Sequence, residues 1–254
     1  MTLLTLLVTS FVPAWEKSNE QDFLNTAIFQ LGQVKSANLN LMNSEAGSNN
    51  QYVPFTMTPG KVPLFGKNYL GNLEYRSSGS GVSSMTLEFV DSFAVHTTVN
   101  ATGSLTYKLL NAYSQNVVVY EHGGVILSNI DGSERNSVFK STPTITYTVN
   151  GEDPNLIDLI ITQFDFVGTN TVMPASGTVG LAMILTETAT TQNHLVPSHD
   201  LTVKWSTPEA GAWEQWAEAY FDTVVLRNSN DVTLTLDNVY SIQYTLVKTQ
   251  MTLE

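Results

Sequence analysis

The first twelve residues, Met1 to Val12 (MTLLTLLVTSFV), are mostly apolar and carry no charge. A run of this kind has to be buried against something, and the partner that buries it constrains the rest of the chain. A secretory signal would place a basic segment before the run and a small-residue cleavage site after it, and neither is present. A membrane-spanning helix takes about 20 residues, whereas here Pro13 follows and the first charges come at Glu16 and Lys17. Trp15 stands beside those charges, where an aromatic ring marks a boundary between apolar and aqueous surroundings. The residues Leu3, Leu4, Leu6, Leu7, Val8, Phe11, Val12, Pro13, Trp15 and Phe23 therefore read as an anchor or assembly segment. It is expected to be buried against copies of the chain itself, the favoured reading, with a membrane or the protein's own core as the alternatives.

The helical pattern continues past Pro13. Phe23, Ala27, Leu31, Val34 and Leu41 recur at steps of three, four or seven, one face of an α-helix. Only Gly32 interrupts Ala14 to Asn43, so the spacing predicts a long helix that Pro13 kinks or begins. The polar stretch Asn43 to Asn50 (NSEAGSNN) ends it. Residues 1–43 are thus expected to form an apolar helix and amphipathic stalk, and 44–254 an extracellular β domain or two sub-domains.

Beyond the stalk the period drops to two. Met85, Leu87 and Phe89 alternate with polar residues, as do Leu105, Tyr107 and Leu109, and Ile145, Tyr147 and Val149. Val232, Leu234 and Leu236 repeat the pattern, and so do Ile242, Tyr244 and Leu246. That is the signature of half-buried antiparallel strands. Turn signals lie between them at 78–81, Gly123-Gly124, Asp131-Gly132, Asn150-Gly151 and Ser176-Gly177, with Asp131-Gly132 the best hairpin candidate. One helix is expected late in the chain, with Thr207 as N-cap and Pro208 in the first turn. Its Trp213, Trp216, Ala217, Tyr220 and Phe221 form an aromatic stripe that reads as core rather than as a sugar platform. The fold class is mainly β with a long N-terminal α-helix: an antiparallel β-sandwich or stacked sheets plus one short helix in the C-terminal half.

Composition excludes several function classes. Net charge is −12, with 23 acidic and 11 basic residues and no basic cluster, which disfavours nucleic acid as a partner. Only 13% of residues are charged, so Thr, Ser and Asn supply much of the polarity, the look of secreted β proteins. The chain has no Cys, which removes disulfides, thiolate metal sites and Cys nucleophiles together.

Three segments carry a resemblance. Val12-Pro13-Ala14-Trp15-Glu16-Lys17-Ser18-Asn19-Glu20, leading into an amphipathic helix, resembles the start of archaeal pilin-like surface proteins, where a "VPxW" boundary follows an apolar helix. Val119-Tyr120-Glu121-His122-Gly123-Gly124-Val125-Ile126 is similar to their "VYEGGAVI"-type strand–turn, and Ala212-Trp213 with Tyr220-Phe221 to their late "AW…YF" helix. The resemblance implies a cell-surface protein of the type IV pilin and archaellin kind, whose apolar helix packs in a filament core. The family's longer hydrophobic helix and its processing site would lie before Met1.

Motifs of catalysis are missing: no G-x-S-x-G, H-E-x-x-H, P-loop or dinucleotide fingerprint. His194, His199 and Asp200 lie close in sequence, but their spacing matches no familiar metal set. Asn228, Asn230 and Asp231 lack the spaced carboxylates of a calcium loop and read as a polar hairpin. Glu152-Asp153-Pro154 reads as a turn. No cofactor is expected. Asn100-Ala101-Thr102 is the only glycosylation acceptor, so Asn100 is a candidate modification site. The reading is of a non-enzymatic structural subunit of an extracellular filament, its partners copies of itself. A membrane-tethered monomer that binds carbohydrate or a partner protein, and a secreted glycan hydrolase, are the alternatives.

Overall fold

The structure is a computed structural model. It describes residues 2–57, 70–110, 115–131, 134–149, 156–175, 177–196 and 199–254, with the side chains of 2–12, 70, 110, 131, 134, 174 and 175 outside the description. In chain order the elements begin with α1 (Thr2–Met42), β1 (Asn50–Thr56), β2 (Leu70–Arg76), β3 (Ser84–Val90), β4 (His96–Thr102) and β5 (Ser104–Leu110). Next come β6 (Gln115–Glu121), β7 (Gly124–Asp131), β8 (Glu134–Ser141), β9 (Ile145–Val149), β10 (Ile157–Val167) and β11 (Thr171–Ala175). The chain ends with β12 (Thr178–His194), β13 (Leu201–Ser206), α2 (Ala210–Phe221), β14 (Val225–Asn228), β15 (Asp231–Leu236) and β16 (Val239–Leu253).

The strands form three stacked sheets. A five-stranded sheet runs β1-β12-β16-β10-β9, a six-stranded one β11-β2-β5-β6-β7-β8, and a second five-stranded one β14-β15-β13-β3-β4. Pairing is antiparallel except between β10 and β16, which run parallel. A parallel pair needs a crossover connection, and the chain supplies one through β11 to β15. Period-two alternation alone does not distinguish the two kinds of pairing.

Two apolar cores hold the stack together. The first lies under α1, whose Phe23, Leu24, Ala27, Leu31, Val34, Ala37 and Leu41 are buried against β1, β12 and the six-stranded sheet. The helix is continuous through Pro13. Asn38, fully buried, ties it to both sheets: its Nδ2 donates to Tyr120 Oη (2.8 Å) and its Oδ1 accepts from Thr249 Oγ1 (3.0 Å). The second core lies between β3, β13, β15, α2 and the first halves of β10 and β16.

The strands β10 and β16 serve both cores from opposite faces. Leu159 and Ile161 point into the second core, Phe164 and Phe166 into the first, so the buried parity changes along the strand. In β16 the change moves burial from Ile242 to Thr245, Val247 and Thr249. Of the expected stripe Ile242, Tyr244, Leu246, Ile242 is buried and Tyr244 packs half-buried on the second core, 6.1 Å from the Phe89 ring, before burial passes to Thr245 and Val247. Likewise Ile145 is buried while Val149, near the end of its edge strand, is exposed. The other alternating sets point inward as read: Met85, Leu87 and Phe89, Leu105, Tyr107 and Leu109, and Val232, Leu234 and Leu236.

Gly103 joins the second five-stranded sheet to the six-stranded one with a single residue between β4 and β5. Its φ of +117° and the 2.5 Å that would separate a Cβ from Phe166 leave room only for glycine.

Candidate functional site

The N-terminal helix divides at about Phe23. From there to Leu41 its inner face is covered by the protein's own sheets, and Phe23 meets Tyr107 edge-on with centroids 5.9 Å apart. Phe23 thus belongs to the intramolecular core and not to a surface offered to another chain. Pro13 is exposed and Trp15 is 48% exposed. Thr2 to Val12 continue as helix; the side chains of Leu3, Leu4, Leu6, Leu7, Val8, Phe11 and Val12 lie outside the described residues. On the outer face Phe29 is 65% exposed. Trp15 and Phe29 are two heptads apart, on nearly the same side of the helix, and about 21 Å apart along it. Among the described residues no helix is long and apolar enough to cross a membrane.

A second constellation sits where β6 ends. Glu121 is buried, and the β6–β7 turn that follows has both central residues at positive φ, His122 at 44° and Gly123 at 80°, the geometry of a tight type I′ hairpin. The turn falls one residue earlier than the Gly123-Gly124 reading, because Gly124 still pairs with Glu121 across the ladder. Thr207 Oγ1 donates to both carboxyl oxygens of Glu121 at 2.9 Å, and Trp213 Nε1 donates to Oε1 at 2.6 Å. Burial raises the Glu121 carboxyl to about 7, and the nearby Glu209 charge adds to the rise against these hydrogen bonds. His122 is fully buried, with Nε2 2.9 Å from Ser83 Oγ, and burial holds its pKa down at about 3.

The late helix starts two residues beyond the expected Pro208, at Ala210, because Thr207 caps locally instead: its Oγ1 accepts from Glu209 N at 3.1 Å. Trp213 and Ala217 are core, and Trp213 stacks on Trp205 at 4.9 Å. Trp216, Tyr220 and Phe221 are only half-buried, at the rim of the second core.

Next to Glu121 a cleft of about 240 Å³ opens on the face of the six-stranded sheet away from α1. Its floor is Val117, Val119, Ser104 and Thr106, and its wall Pro208 and Glu209. Two buried carboxylates hold three basic groups around it. Glu74 pairs with Arg76 and, at 2.7 Å, with Lys108; Glu209 pairs with Arg135 at 2.5 Å. Burial pushes the Glu74 carboxyl up, but the Lys108 and Arg76 hydrogen bonds and charges outweigh it and leave the pKa lowered. Nothing in the sequence marked this set, because its members are scattered from residue 74 to residue 209.

The other sequence candidates stay apart from the cleft. His194 packs against Tyr240 (5.5 Å between rings), and His199 bonds through its backbone to Val196. Asn228 and Asp231 close the β14–β15 hairpin. Among the described residues no group of three or more His, Asp or Glu side chains is placed to hold a metal ion. Glu152, Asp153 and Pro154 lie outside the described residues, as does the turn at Asn150-Gly151. Asn100 is exposed on β4, the edge of its sheet, where its Oδ1 accepts from Thr86 Oγ1 at 2.8 Å. No family model, curated protein or solved structure matches the chain.

Proposed function

We propose that this chain is a structural subunit of an extracellular, pilus-like filament of the archaeal kind that its sequence resembles, polymerising through its N-terminal helix. The observation that carries this reading is the change of burial along α1. From Phe23 to Leu41 every inward residue is sealed by the head, whereas Trp15 is exposed and the helix runs on to Thr2 through an apolar, uncharged sequence. An apolar sequence of that length is stable only when buried, and neighbouring copies would bury it. Asn100, exposed on an edge strand, is the site where a glycan would coat the filament.

The test is negative-stain microscopy of full-length protein beside a variant lacking residues 1–15. Filaments from the full chain and a soluble monomer from the variant are expected, with the monomer checked by light scattering. Assembly that survives the deletion refutes the helix-core model. Single copies released by detergent, with no filaments, support a tethered monomer instead. The intact mass of protein from native cells reads the glycan: a mass equal to that of the bare sequence removes Asn100 as a modification site.

A further inference from the structure

We infer that the charged cleft on the six-stranded sheet binds a carboxylate-bearing sugar unit, a uronate, with the carboxylate held by Lys108 and Arg76, which meet at Glu74, and the ring lying over Val117 and Val119.

The charge distribution comes first. The chain has a net charge of −12 and only 11 Lys and Arg residues, yet three of them converge on one cleft of about 240 Å³. Glu74, Glu121 and Glu209 line the same cleft. The side chains of Arg76, Lys108 and Arg135 are each about 40% exposed, at 41%, 40% and 39%, while the carboxylates beneath them are 5% and 2% exposed. Each buried acid therefore fixes a cation from below and leaves its outer N–H groups to the cleft. Arg76 gives its Nε to Glu74 and one terminal nitrogen to Ser80 O, and a guanidinium has five N–H donors. A planar fork of this kind suits a carboxylate. The Glu121 carboxyl, with its pKa near 7, carries only part of a charge at neutral pH, so the three cations outnumber the two ion-paired carboxylates.

The cleft offers partners for hydroxyls as well as for negative charge. Ser104 and Thr106 add hydroxyls to the floor, and the two valines add an apolar surface for the C–H face of a ring. A ligand with one carboxylate, several hydroxyls and an apolar ring face meets all of these demands; a bare inorganic anion meets only the first. The volume falls just below the lower end of small-molecule sites, about 300 Å³, which is room for a single sugar unit of a longer glycan. This site lies on the head, away from the helix, and its occupation does not depend on whether the chain polymerises.

The experiment titrates full-length protein with glucuronate, glucose and sulfate by calorimetry at pH 6. Saturable glucuronate binding is expected, with glucose and sulfate at least tenfold weaker. Lys108→Gln and Arg76→Gln should each weaken glucuronate binding at least fivefold. Both replace half-exposed groups and are expected to fold, which circular dichroism checks. Sulfate that binds as tightly as glucuronate, glucuronate no tighter than glucose, or affinity unchanged in both folded variants would each overturn the assignment. Filament formation, read separately by microscopy, is untouched by any of these outcomes.

Discussion

Glu121 and His122 are adjacent, both buried, and pull stability in opposite directions with pH. The Glu121 carboxyl has its pKa raised from 4.5 to about 7 on folding. The native state therefore holds a proton that the unfolded chain has lost between those values. Its contribution is fully present below pH 4.5 and is lost as pH rises to about 7. The His122 imidazole is lowered from 6.5 to about 3, so the unfolded chain binds the extra proton and stability falls as pH drops from 6.5 to 3. Between 4.5 and 6.5 the two slopes oppose each other. Glu121→Gln keeps an acceptor for Thr207 and Trp213 but removes the titration. The variant should match the parent near pH 4.5 and be more stable at pH 8, by on the order of 3 kcal/mol, in urea titrations. Its stability should then rise with pH up to 6.5, which exposes the His122 slope. A parent and variant with parallel pH profiles would show that Glu121 ionises freely in the fold.

At the scale of the element, α1 is a helix with one committed face. Leu31 is fully buried in the first core and Phe29, two residues earlier, is largely exposed. Leu31→Ala should cost about 2–5 kcal/mol of stability, and Phe29→Ala less than about 0.5 kcal/mol, both by chemical denaturation. If Phe29 serves the filament, its loss should lower assembly while leaving the monomer's stability intact. That separation of assembly from stability is what an outward-facing aromatic requires. The inner face of α1 was legible in the sequence because a helix repeats every 3.6 residues and the buried set Phe23, Ala27, Leu31, Val34 and Leu41 keeps that period. Asn38 was not legible: a lone Asn on a helix looks solvated, and only the closing of two sheets around it gives each end of its amide a partner. The start of α2 was misplaced for a similar reason. Thr207 and Pro208 make a good cap signal, but Thr207 is occupied by Glu121 and Glu209, and the helix waits for Ala210.

For the whole molecule, β10 and β16 are the mechanical link. Each contributes to one core with its first half and to the other with its second, along a parallel ladder from Ile157 to Val167. Loosening either core strains strands the other needs, so the two should unfold together. Leu31→Ala in the first core and Trp213→Phe in the second should shift one common transition, followed by tryptophan fluorescence and far-UV circular dichroism. Two separated transitions would mean that the cores are independent. The sequence by itself determined the long helix, its inner face, most strand faces and the strand-rich class, because these follow from local periodicity and turn chemistry. Tertiary structure alone decided the parallel β10–β16 pair, the reversal of buried parity within those strands, and the gathering of Glu74, Arg76, Lys108, Arg135 and Glu209 around one cleft. Such features depend on which distant segments meet, and neither residue type nor spacing along the chain carries that information.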